Sequence, residues 1–189
     1  ACLAGPPLAR RRMTPFEFWV AMIINLLLRG NAYARIDRSE NGEAYSLHPM
    51  PADQVEALLA WAGQQAGDQY VFGANGPNAW DCSSFTQAAY RHIGLTLPRT
   101  AGAQRDWLAA GHGTRIPPGQ ERPGDLIFWD SYLGPNAIGH VVIVKDPTTR
   151  TTFEAKNPRA GVGTFSYAGI QQGKNIYEIW RPGATEGAP

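Results

Sequence analysis

Cys82 is the side chain in this sequence best placed for covalent chemistry. It follows a Gly/Pro/Asn-rich loop (GANGPNAW, residues 73–80) and sits in Asp81-Cys82-Ser83-Ser84. The spacing of Phe85, Ala88, Ala89 and His92 predicts a helix over Ser83–Ile93, which puts Cys82 in its first turn. Unpaired backbone N–H groups and the positive end of the helix dipole lower a thiol pKa there. The same N–H groups can hold an oxyanion formed on an attacked carbonyl. A cysteine taken alone is more often a buried structural residue, so the chemistry needs a base. His140 follows Gly139 and opens the strand His140–Val144, at a sheet rim where an imidazole can face a helix N-terminus. His48, before a proline, His92, in a helix's last turn, and His112, in a Gly-flanked loop, read as structural or solvent-facing. Glu154 lies on the next strand, Thr151–Ala155, and returns beside His140 if the two strands pair as a hairpin. A carboxylate there would fix the imidazole tautomer and stabilise the imidazolium. A solvent-facing glutamate is the alternative, and Asn157 is a second candidate orienter. Nucleophile, base and orienter in that order suit a thiol hydrolase.

The elements that must position these residues are short and turn-rich. The chain has 189 residues, 43% of them hydrophobic and 17% charged, enough for one packed domain and a modest extension. Lys+Arg 17 against Asp+Glu 16 gives a net charge of +1, so no nucleic-acid partner is expected. Two cysteines, Cys2 and Cys82, exclude a disulfide scaffold and a Cys-only zinc site. Helices are expected over Ala57–Gln65, Ser83–Ile93 and Ala103–Ala110, with Tyr70–Gly73 extended. Strands are expected over Gly124–Trp129, His140–Val144, Thr151–Ala155 and Ile176–Trp180. Helices first and strands afterwards give an α+β fold with a mostly antiparallel sheet. The expected domains are a tail at 1–12, a helix-plus-hairpin extension at 13–56, a main domain at 57–182 and a C-terminal tail at 183–189. In the extension, Thr14-Pro15 starts a helix that Gly30 ends, and Asn41-Gly42 marks a hairpin between Tyr33–Asp37 and Ala44–Leu47.

No apolar run reaches the ~20 residues of a membrane span, so no stable span is expected. Arg10–Arg12, the stretch Phe18–Leu28 and Ala32-Tyr33-Ala34 imitate a secretory signal, but Glu17 and Arg29 flank it badly. An amphipathic helix is the favoured reading of that stretch.

Two resemblances sharpen these readings. MTPFEFWVAMIINLLLRGNAYARIDR followed by YSLHPMPADQVE resembles an internal stretch of phage portal proteins, over residues 13–56. It implies a remnant or a fusion in a phage or prophage setting. YVFGANGPNAWDCSSFTQAAYRHIGLTLPRTAGAQ resembles the core motif of the NlpC-type cell-wall cysteine peptidases, and RPGDLIFW and GHVVIV resemble that family's next two motifs. This resemblance implies a papain-like fold with N-terminal helices packed on a central sheet. It implies Cys82 as nucleophile, His140 as base and Glu154 at the third polar position. It also places Tyr70 near the thiol, and Asp81 and Ser83 at substrate subsites. The implied substrate is the stem peptide of peptidoglycan, cut between D-glutamate and the diamino acid through a thioester, with no metal or other cofactor. The implied location is secreted or wall-associated, with phage delivery an open route. Ser84 departs from the usual glycine two residues after the nucleophile, and Asp130–Ile138 is longer than usual near the cleft. Alternatives are an amidase/endopeptidase of the CHAP type and a non-catalytic phage assembly or wall-binding module.

Overall fold

The computed structural model describes Val20, Ile23 and residues 33–38, 44–50 and 52–183. The chain divides into two compact units, Ala1–Ala52 and Asp53–Pro189. In the first, β1 (Tyr33–Arg38) pairs antiparallel with β2 (Ala44–Met50), with Ile36 opposite Leu47. This is the expected hairpin, with longer strands. The tail at 1–12, the Asn41-Gly42 turn and the helix from Thr14, apart from helical Val20 and Ile23, lie outside the described residues, as do residues 184–189.

The second unit opens with α1 (Ala52–Gln64), which starts five residues before the expected Ala57. Val55, Leu58 and Ala62 recur at helical spacing and are buried. The parallel pair β3 (Gln69–Tyr70) and β4 (Ala79–Trp80) closes the loop 71–78 and delivers the chain to α2 (Cys82–His92). α3 (Ala101–Trp107) follows, capped by the Thr100 hydroxyl, which accepts the Ala103 N–H at 3.3 Å. The expected helix to Ala110 instead passes into a π-turn, Leu108–His112, where Gly111 has φ 109°. His112 stacks on Trp107, ring centroids 4.1 Å apart, and His92 lies beside Trp61, so both act in packing.

The remaining strands are β5 (Gly113–Ile116), β6 (Leu126–Asp130), β7 (Ile138–Asp146), β8 (Thr151–Asn157), β9 (Gly161–Ser166) and β10 (Tyr177–Pro182). They form one sheet in the order β5-β10-β6-β7-β8-β9, and each neighbouring pair is antiparallel. The two strands not foreseen, β5 and β9, are its edges. Each is half-exposed and lacks a continuous apolar run, so neither carries a strong strand signal. The central strands do carry one, because both faces are covered. Val141 and Ile143 of β7 pack with Leu58, Phe85 and Phe128 on the helix side. Val142 and Val144 pack with Ile127, Ile179 and Tyr167 on the other.

A buried ion pair ties the last strand to the start of β6. Asp125 accepts Nε and Nη2 of Arg181, each at 2.8 Å, and the Arg122 N–H at 2.8 Å. Burial pushes the Asp125 carboxyl upward, against the pull of Arg181. Arg181→Met should therefore strand a buried carboxylate and cost about 3 kcal/mol near pH 7. The loss should shrink near about pH 3, where the carboxyl is neutral in both states. Urea denaturation at the two pH values checks this, and a loss that does not vary with pH would count against it.

Candidate active site

The first turn of α2 is held by a reciprocal cap. Asp81 Oδ1 accepts the Ser84 N–H at 2.8 Å, and Ser84 Oγ accepts the Asp81 N–H at 3.0 Å. Ser84, where the resemblance led one to expect glycine, is thus a capping residue, and it is buried. Phe85 N–H donates to the Asp81 carbonyl at 3.0 Å. The helix-end N–H groups of Cys82 and Ser83 have no acceptor among the described residues. Cys82 itself is free of disulfide and 5% exposed, at the edge of the core.

His140 is the third residue of β7, which begins two residues earlier than expected. The register Ile143↔Phe153, carried on by one residue along each strand, sets Glu154 across from Val142. Glu154 and His140 therefore share a face of the sheet. His140 Nε2 lies 2.7 Å from Glu154 Oε2, and both side chains are buried. The Thr152 hydroxyl stands 3.2 Å from Glu154 Oε1. The Cys82 thiol acts on the same imidazole and raises its pKa. With Nε2 occupied by Glu154, Nδ1 is the nitrogen left for the thiol. Trp129 packs on the ring at a centroid distance of 4.9 Å. Asn157, the other candidate orienter, is used elsewhere: its Oδ1 accepts the N–H groups of Arg159 and Ala160 in a turn.

Electrostatics favour a charged imidazole. Burial alone would lower the His140 pKa, but the hydrogen bonds and charges of Cys82 and Glu154 outweigh it and lift the value from 6.5 to about 9. Tyr70, half-buried, is pushed up to about 12 by burial and by the charges of Cys82 and Asp81, so its hydroxyl remains a donor.

The structure also shows partners that the sequence did not reveal. Arg99 donates to both carboxylate oxygens of Asp81, at 3.0 and 2.5 Å, to Ser83 Oγ at 3.0 Å and to the Ala74 carbonyl at 3.1 Å. Gln104, fully buried, bonds the Ser83 and Pro98 carbonyls and the Thr86 hydroxyl. Arg99 and Gln104 stand in LPRTAGAQ, a string noted for resemblance alone; nothing in its periodicity marks either side chain as part of the site. The long segment 130–138 brings Tyr132 against Phe72 edge-to-face, centroids 5.5 Å apart. Burial and the charges of Cys82 and Asp81 raise the Tyr132 pKa. Gly139 allows the close approach: a Cβ there would meet the Ser131 backbone nitrogen at 3.2 Å.

The NlpC/P60 family matches residues 67–176, and the phage portal protein family matches residues 9–101. The probable endopeptidase p60 of Listeria innocua is 42% identical over 83 residues, which cover 44% of this chain and 17% of p60. A gamma-D-glutamyl-L-lysine dipeptidyl-peptidase of Bacillus cereus is 27% identical over 107 residues, 56% of this chain and 31% of that protein. The chain thus spans well under half the length of either relative. The crystal structure of the NlpC/p60 domain of peptidoglycan hydrolase SagA superposes with a TM-score of 0.52 at 28% identity, covering 66% of this chain and 97% of that domain.

The imidazole shift has two consequences. With a folded pKa of about 9 against 6.5, His140 contributes stability that is complete below pH 6.5 and lost as pH rises through about 9. The imidazole should therefore titrate near pH 9 by NMR in the wild type, and Glu154→Gln should lower that midpoint by about one unit. A wild-type midpoint near 6.5 would show that the charged pair does not form.

Proposed function

Because the chain belongs to the NlpC/P60 family, we propose that it is a cysteine endopeptidase of peptidoglycan. The bond cut is the amide between D-glutamate and the diamino acid of the stem peptide. The observation that supports this reading is the buried pair in which Glu154 holds Nε2 of His140 at 2.7 Å, with Cys82, at a helix N-terminus, raising the pKa of the same imidazole.

In the proposed mechanism, the Cys82 thiolate attacks the carbonyl carbon and forms a C–S bond. The free N–H groups of Cys82 and Ser83 face the oxyanion, and the Tyr70 hydroxyl is a further donor. The imidazolium of His140 gives its proton to the departing amine as the C–N bond breaks. Water, deprotonated by the neutral imidazole, then hydrolyses the thioester and restores the thiolate–imidazolium pair. Glu154 fixes the tautomer and balances the charge throughout. Asp81 and Ser83 form the acyl-side subsite, their orientation set by Arg99.

The name of the Listeria innocua relative supports an endopeptidase, and that of the Bacillus cereus relative, gamma-D-glutamyl-L-lysine dipeptidyl-peptidase, supports a bond next to D-glutamate. The portal match supports a phage or prophage setting, with the enzyme reaching the wall by secretion or phage delivery. We assign residues 57–182 as catalytic and 13–56 as a portal-derived extension. That match also favours a second reading, a non-catalytic assembly module; the intact Cys82, His140 and Glu154 weigh against it.

Digestion of purified sacculi, read by mass analysis of the muropeptides, tests the proposal. The wild type should release fragments cut after D-glutamate. Cys82→Ala should reduce release at least ~1000-fold while circular dichroism shows the fold retained. Retained cleavage in that variant would reject the scheme, and peptide-free glycan as the product would favour the amidase alternative.

A further inference from the structure

Among the described residues of the second unit, the exposed large hydrophobic side chains are Val71, Phe72, Tyr132 and Leu133. Phe72 and Tyr132 meet edge-to-face, ring centroids 5.5 Å apart, yet remain 69% and 60% exposed, so their contact leaves most of both residues open to water. The four side chains come from two segments, each tied to one arm of the candidate site. Gly73, next to Phe72, donates its N–H to Asp81 Oδ2 at 3.1 Å, and Asp81 precedes Cys82. A Cβ on Gly139, which precedes His140, would meet the Tyr132 backbone nitrogen at 3.3 Å. The Phe72–Tyr132 contact therefore bridges the segment before the nucleophile and the segment before the base.

The surface these segments offer is uncharged. Residues 71–78 and 131–138 contain no Asp, Glu, Lys, Arg or His. Arg99, which reaches the Ala74 carbonyl, is paired with Asp81. The polar groups include the exposed amides of Asn75 and Asn136. On the peptidase reading above, on which this step rests, the substrate has a charged part and a neutral part. Its acyl-side residues are D-glutamate and L-alanine, which offer a carboxylate and a methyl group. Neither matches four large apolar side chains. Beyond L-alanine, on the order of 10 Å from the scissile carbonyl, stands the N-acetylated sugar that carries the stem. That reach is comparable to the path from Cys82 through Asp81 and Gly73 to Phe72. The sugar ring is neutral, and its C–H groups pack on the electron-rich face of an aromatic ring. Its hydroxyl and acetamido groups suit amide partners.

We propose that the patch of Val71, Phe72, Tyr132 and Leu133 is a sugar-binding surface that holds the N-acetylated glycan next to the stem peptide being cut.

The test uses the full chain and two soluble forms of one stem tetrapeptide. One is carried on its disaccharide; the other is N-acetylated at L-alanine, so that no new charge replaces the sugar. The wild type should cleave the disaccharide form with ~10-fold or higher kcat/KM, chiefly through a lower KM. Phe72→Ala/Tyr132→Ala should bring that ratio close to one. Phe72→Leu, which keeps apolar area but removes the ring face, should lose most of the preference as well. Circular dichroism and thermal melting confirm that the variants are folded. Equal cleavage of both forms by the wild type, or a preference that survives in either variant, overturns the sugar surface while leaving the peptidase reading intact. A wild-type dimer in sedimentation velocity that the double variant dissolves also overturns it, because a second copy would then cover the patch. Cleavage of neither form by the wild type overturns the peptidase reading, and the sugar surface with it.

Discussion

One carboxylate determines where the sulfur stands. Asp81 accepts hydrogen bonds from Ser84 N–H, Ser83 Oγ, Gly73 N–H and two nitrogens of Arg99. Burial alone would raise its pKa; the Arg99 pair and the Ser84 N–H more than offset this and hold the carboxyl below its usual range. It is thus ionised wherever the protein is folded at neutral pH. An ionised cap stabilises the first helical turn through its hydrogen bonds and through the dipole. Its neighbour Cys82 inherits a fixed position over two free backbone N–H groups. The same carboxylate joins the loop 71–78 to the segment before α3, through Gly73 and Arg99. Replacing it would loosen the helix end, the loop and the subsite together, which is why these features form one mechanical unit.

The base is fixed by a different device. His140 and Glu154 come from neighbouring strands, His140 paired with Trp129 of β6 and Glu154 with Gly163 of β9. Both side chains are removed from water, so each needs the other: an imidazolium or a carboxylate alone would carry a heavy desolvation cost there. The thiol thus rides on a helix and the imidazole on a sheet, and packing of α2 against β7 through Phe85, Val141 and Ile143 sets the distance between them. Catalytic geometry of this kind depends on the core as much as on the reacting groups.

Residues that reveal themselves by type and position were readable in the sequence. Cys82 after a Gly/Pro/Asn loop, His140 at a strand start and Glu154 one hairpin later needed only local patterns and one assumed strand pairing. The central strands were equally plain, because burial on both faces makes them continuously apolar. What was hidden depends on contacts far apart in the chain. Arg99 reaches back 18 positions to Asp81, and Gln104 reaches 21 to Ser83. Neither distance leaves a periodic trace. The edge strands β5 and β9 were missed because a half-exposed edge needs few apolar residues. The capping role of Ser84 was hidden for another reason: its hydroxyl completes a cap usually recognised by Glu or Gln at that place.

The exposed apolar surface is uneven. Val71, Phe72, Tyr132 and Leu133 are the large hydrophobic side chains exposed among the described residues of the second unit, and they lie in the segments 71–78 and 130–138. Exposed aromatic area is unfavourable in water, and Phe72 and Tyr132 reduce it only in part by their edge-to-face contact. Lys156 and Lys174 line a different surface, a cavity that also takes in His140 and Glu154. Because Nε2 is held by Glu154, a single ring nitrogen of His140 is left for a partner outside that pair. Hydrogen bonding in the core thus fixes which nitrogen is available, while the surface segments set what surrounds it.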